Sequence, residues 1–119
     1  MPILKQKTSI YVRFQRKGFH FYPDAPDQVE YLKSRHRHLF KFEIGIEVFH
    51  DDREIEFHMF QEELESQLDS GAIDINHKSC EMLCKDLGLY ISEKYPRRNF
   101  YVDVSEDGEC GSRVDFTWE

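Results

Sequence analysis

His36 and His38 stand two residues apart, and His20 lies 16 residues before the first of them. Imidazole nitrogen suits a borderline metal such as zinc. Zinc takes His at about 2.0–2.1 Å and, in reactive sites, keeps a fourth position open beside three protein ligands. Side chains two apart in an extended segment point to the same side, so His36 and His38 can reach one ion. Ile10, Val12 and Phe14 alternate with Tyr11, Arg13 and Gln15 in a strand that ends near His20. If that strand neighbours the one that His36 and His38 open, His20 becomes the third ligand. The competing reading makes His36 and His38 polar surface residues between Arg35 and Arg37. With six histidines in 119 residues, an HxH pair arises by chance in roughly one such chain in three or four. His50 and His58 read as ordinary loop or helix residues, and His77 as the neighbour of a helix start.

The elements that must position these residues follow from hydrophobic period. Phe40, Phe42, Ile44, Ile46 and Val48 share one face of a strand whose other face carries Lys41, Glu43 and Glu47. Gly18 marks a bend before Phe19 and His20, and the segment Tyr22–Asp27, with two prolines, is a loop. After the polar turn Asp51-Asp52-Arg53, a helix is expected from about Phe57 to Leu68. Its apolar positions are Phe60, Leu64 and Leu68, with Glu62, Glu63 and Glu65 facing water. A second helix is expected from about Ser79 to Lys94, capped by Asn76 or Ser79, with Glu81 favouring its N-terminal dipole. Its stripe is Cys80, Leu83, Cys84, Leu87 and Ile91, and Pro96 lies just past its end. Two strands close the chain: Phe100, Val102 and Val104 alternate, Glu106–Glu109 turns, and Val114, Phe116 and Trp118 alternate. The expected fold is α+β, ββααββ: an antiparallel four-stranded sheet with two helices packed on one face.

A length of 119 residues fits one domain, 1–119, large enough to bury a core. Hydrophobic residues at 39% and charged residues at 33% exclude a disordered chain. A net charge of −7 repels phosphate backbones, so no nucleic-acid partner is expected, and Arg35–His38 and Arg97-Arg98 read as solvated turns. Cys80, Cys84 and Cys110 are odd in number and form no CxxC pair, which excludes a disulfide scaffold. No signal peptide or long apolar run is seen, so the expectation is a cytoplasmic protein with no membrane partner.

Four segments in order resemble the 6-pyruvoyl-tetrahydropterin synthase and 6-carboxy-tetrahydropterin synthase family. Gly18-Phe-His20 and Arg35-His36-Arg-His38-Leu-Phe are similar to that family's first zinc His and its HGH motif. Ser79-Cys-Glu81 looks like its Ser/Thr-x-Glu-Asn, and Val102-Asp-Val-Ser-Glu106-Asp looks like its Val-x-Val-x-Glu-Thr. The likeness runs from about Ile10 to Trp118. It implies the tunnelling fold and zinc held by His20, His36 and His38. It also implies a reduced pterin or related purine-derived ligand, bound with the help of Ser79 and Glu81. Glu106 would anchor the ring by accepting two parallel N–H bonds. It further implies a homo-oligomeric ring, a tetramer or hexamer, in which Glu106 faces the zinc of a neighbouring chain.

The chain departs from the family at the proton relay. Leu32 occupies the position of the catalytic Cys, four residues before the HxH motif. The Asp-His couple is absent, because Asp69 and Asp74 are followed by Ser70 and Ile75. His77 is the candidate substitute, and Cys80 and Cys84 on the helix stripe read as packing thiols. Two functions stand: a zinc-dependent lyase or synthase with a non-standard base, or a pterin- or purine-nucleotide-binding or partner-binding module without the chemistry.

Overall fold

The computed structural model describes residues 1–119. Alternating apolar residues produce two strands of 13 residues each, β1 (Thr8–His20) and β2 (His36–Val48). They pair antiparallel without interruption from Thr8↔Val48 to His20↔His36. Because the period is two, Val12 and Phe14 share a face with Phe40, Phe42, Ile44, Ile46 and Val48, and all seven are buried. A 3-10 segment, Asp27–Lys33, carries the chain between the strands. Helix α1 (Phe57–Glu65), a short strand β3 (Ile73–Asn76), helix α2 (Cys80–Lys94), and strands β4 (Phe100–Glu106) and β5 (Cys110–Phe116) follow.

The α+β class holds, but the sheet differs from the antiparallel four-stranded expectation. It has five strands in the order β3-β1-β2-β4-β5, and β3 runs parallel to β1. Strand β3 escapes a periodicity reading because its alternation, Ile73-Asp-Ile75-Asn, lasts only four residues. Three helical segments replace the expected two, the extra one being the 3-10 turn. Both α-helices do pack on one face: Phe60 and Leu64 of α1 join Leu83, Cys84, Leu87 and Ile91 of α2 in a single core with the strands. Burial of each such large side chain contributes about 1.5–3 kcal/mol. No helix is long and apolar enough to cross a membrane.

Several boundaries move for local reasons. Helix α1 stops at Glu65, and the amides of Gln67 and Leu68 close tighter turns onto Leu64 and Glu65. Ser79 rather than Asn76 caps α2, its hydroxyl accepting from the Met82 amide at 3.2 Å. Glu63 turns inward and accepts the Tyr90 hydroxyl at 2.9 Å and that of Tyr95. Trp118 lies beyond β5, exposed, with its amide on the Asn99 side chain. Arg98 is no solvated turn residue: it forks onto Glu54, donates to the Glu47 carbonyl at 3.1 Å, and lies over Phe49.

Gly18 makes no bend. It sits inside β1, opposite His38, and a Cβ there would come within 2.6 Å of the Phe40 ring and 2.9 Å of Ile73. The glycine is space for an aromatic ring under the sheet's most polar corner. Gly18→Ala should lower unfolding free energy by about 1–3 kcal/mol, the range for overpacking, read as a drop in urea midpoint. A second expectation concerns acid. Arg98 and the Phe49 amide hold the Glu54 carboxyl down to about 2 from an ordinary 4.5. A depressed carboxyl stabilises above its unfolded value and loses that contribution as pH falls through the folded one. The stability difference between wild type and Glu54→Gln should therefore shrink between pH 4.5 and about 2 in pH-dependent urea unfolding.

Candidate metal centre

The register that buries the core also assembles the histidines. His20 closes β1 and pairs with His36, the first residue of β2, while His38 pairs with Gly18. All three side chains lie on the helix-covered face. Their ring centroids form a near-equilateral triangle, 4.5, 5.0 and 4.9 Å on a side, with the rings edge-on to one another. Phe40 is the floor, fully buried, its ring centroid 5.3 Å from that of His20 and 5.8 Å from that of His38.

Each imidazole is fixed from behind through Nδ1. The partners are the Lys78 carbonyl at 3.3 Å for His20, the Ser34 carbonyl at 2.8 Å for His36, and the Asp107 carboxylate at 2.8 Å for His38. A carbonyl or carboxylate oxygen accepts, so Nδ1 carries a proton in each ring, and in the neutral ring Nε2 is the atom with the free lone pair. The three Nε2 atoms are buried and have no hydrogen-bond partner. Leaving a buried polar atom unpaired costs about 1–3 kcal/mol. Three at one point are the mark of a site built for something else to satisfy. One nitrogen from each ring lies within 4.8 Å of the other two, close enough for a single metal ion. Burial lowers the His20 pKa, with His36 and His38 acting the same way against the Lys78 carbonyl and Glu106. A neutral ring is the form that ligates.

Asp107 is the residue that sequence reasoning passed over as part of a turn. It opens the β4–β5 hairpin with positive φ values at Asp107 (58°) and Gly108 (74°), and the Glu109 amide bonds back to the Glu106 carbonyl. That is the Asp-Gly geometry of a tight hairpin. The turn aims one carboxylate oxygen at the Leu39 amide, 2.8 Å, and the other at His38. The Asp-Gly pair after a strand was the available signal for the turn, but nothing in the sequence tied it to His38.

The remaining candidates gather beside the histidines. A cavity of about 550 Å³ borders His20 and His36 and is lined by Leu32, His77, Ser79, Glu81, Glu106 and Cys110 among others. His77 is exposed on its rim. Ser79 has its hydroxyl committed to the α2 cap, and Glu81 accepts the Ser112 hydroxyl at 2.7 Å. Pairing of Phe40 with Glu106 sets the Glu106 carboxylate beside the histidines of its own chain, 3.2 Å from His38 Nε2 and 3.5 Å from His20 Nε2. Burial pushes the Cys80 thiol up to about 12 and Cys84 up to about 11, so neither supplies a thiolate. Cys110 is exposed. Asp74 is turned away, paired with Arg35 at 2.9 Å.

Asp107→Ala should weaken divalent-metal binding about 10–100-fold, measured with zinc against a chromophoric chelator, because outer partners orient ligating imidazoles. Asp107→Asn keeps an acceptor and tolerates the positive φ, so its loss should be smaller. No protein-family model and no curated protein matches the chain.

Proposed function

We propose that the chain holds zinc on His20, His36 and His38 and acts on a reduced pterin or related purine-derived compound. It would do so as a divergent protein of the 6-pyruvoyl-/6-carboxy-tetrahydropterin synthase type. The observation that carries the reading is the convergence of three buried, unpartnered Nε2 atoms whose Nδ1 atoms are all held from behind. An all-imidazole set with a carboxylate beside it suits zinc better than the oxygen-rich sites of magnesium or calcium. Bound there, zinc would polarise an oxygen of the ligand's side chain.

The chain's own residues supply the rest. Glu81 and Glu106 present carboxylate oxygens to the N–H edge of a guanidine-like ring in the cavity. Leu32 closes one wall and exchanges no proton. His77, at the rim, is the imidazole left to take or return a proton from the ligand. The same wall favours a second reading, since with Leu32 in place and the two helix thiols protonated, the pocket can hold a pterin without converting it. Sheet edges at β3 and β5 and a sheet face without helices support assembly into a ring of four or six copies.

Metal analysis of purified protein should find about one zinc per chain, lost in His36→Ala. With 7,8-dihydroneopterin triphosphate, chromatography should show product from wild type and none from that variant. Calorimetric binding with the ligand recovered unchanged selects the second reading. Absence of zinc, or of any pterin or guanine-nucleotide binding, removes both. Light scattering should give four or six times the chain mass of 14.3 kDa.

A further inference from the structure

The contact between Glu106 and the histidines is close but is not a hydrogen bond. Its two carboxylate oxygens lie 3.2 Å from His38 Nε2 and 3.5 Å from His20 Nε2, yet both nitrogens lack a hydrogen-bond partner. At His38 the contact is short enough for a bond, so there the ring's Nε2 axis does not run to the carboxylate. Two donors that approach without aiming at each other can share a target. Ligands at about 2.0–2.2 Å around a tetrahedral ion are separated by roughly 3.2–3.6 Å along each edge. Each Glu106 oxygen lies at such a length from one imidazole, Oε1 from His20 and Oε2 from His38.

Nδ1 of His20 and of His38 is engaged from behind by the Lys78 carbonyl and the Asp107 carboxylate, so in the metal-ligating form of each ring Nε2 is the free acceptor beside Glu106. In that form two acceptors stand 3.2 Å apart at His38, and a cation held between them binds both.

We infer that Glu106 is the fourth protein ligand of the metal centre, closing a His20-His36-His38-Glu106 set within one chain when no other ligand is present. The inference rests on the three-histidine reading and extends it. The site is then four-coordinate at rest. A ligand oxygen taking that place on the metal would free the Glu106 carboxylate to accept the ligand's N–H groups.

Zinc affinity and cobalt(II) absorption test this without turnover. Wild type loaded with cobalt(II) should show the intense visible bands of a four-coordinate ion. Glu106→Gln should weaken zinc about 10–100-fold and alter those bands, because water takes the vacated place. Glu106→Asp keeps the charge but shortens the arm, and should give an altered spectrum in a folded protein. Glu109→Gln, in the same hairpin and exposed, should match wild type. Unchanged zinc affinity and unchanged bands in both Glu106 variants overturn the fourth-ligand role and leave the three-histidine site standing. Wild type that takes up no zinc, or uptake that survives His36→Ala, overturns both.

Discussion

The pairing register of β1 with β2 is the constraint on which the rest depends. It matches Phe14 with Phe42 and Val12 with Ile44, and in the same ladder it matches His20 with His36. A slip by one residue would turn Val12 and Phe14 to the open face and carry His20 away from its partners. The apolar face of the sheet thus fixes the polar corner. Sequence selection for burial and for the histidine triangle acts on one geometric variable, and neither can drift without the other.

Around that ladder, each imidazole is held by an element that arrives from elsewhere. The Lys78 carbonyl comes from the approach to α2, Ser34 from the end of the 3-10 segment, and Asp107 from the β4–β5 turn. Glu106 enters through the β2–β4 pairing. The imidazoles are oriented by a completed fold and not by their own rotamer preferences. Preorganisation of this kind holds buried lone pairs apart from water, a local expense met by the core beneath, where the Phe40 ring occupies the space that Gly18 leaves.

Much of this was legible in the chain. The alternation in Ile10–Phe14 and Phe40–Val48 and the stripe from Cys80 to Ile91 fixed which faces are buried, and His36-x-His38 pointed to one side of one strand. The illegible parts share a cause: they depend on contacts distant in sequence. Strand β3 is too short to show a period and exists because β1 offers it a free edge at Gly18–His20. Glu63 looked solvent-facing on a helical wheel, but Tyr90 and Tyr95 come back to claim it. Asp107 reads as a turn former until the hairpin swings it 69 positions back to His38. Gly18 looked like a break, because a wheel or a period count cannot see the ring of Phe40.

The triangle also sits at the closed end of its hairpin, where residues 21–35 join the strands. Bringing the ends of such a loop together is an entropic cost borne before any ladder contact rewards it. An ion captured there by His20, His36 and His38 would cross-link the chain at the point where zipping begins. The carboxylate on β4 would join only after the sheet has grown past β2. On that order of events, a bound ion would be a nucleus for the sheet before any role in chemistry. Its stepwise capture, first by neighbours in sequence and then by a distant arm, would link the speed of folding to the supply of metal.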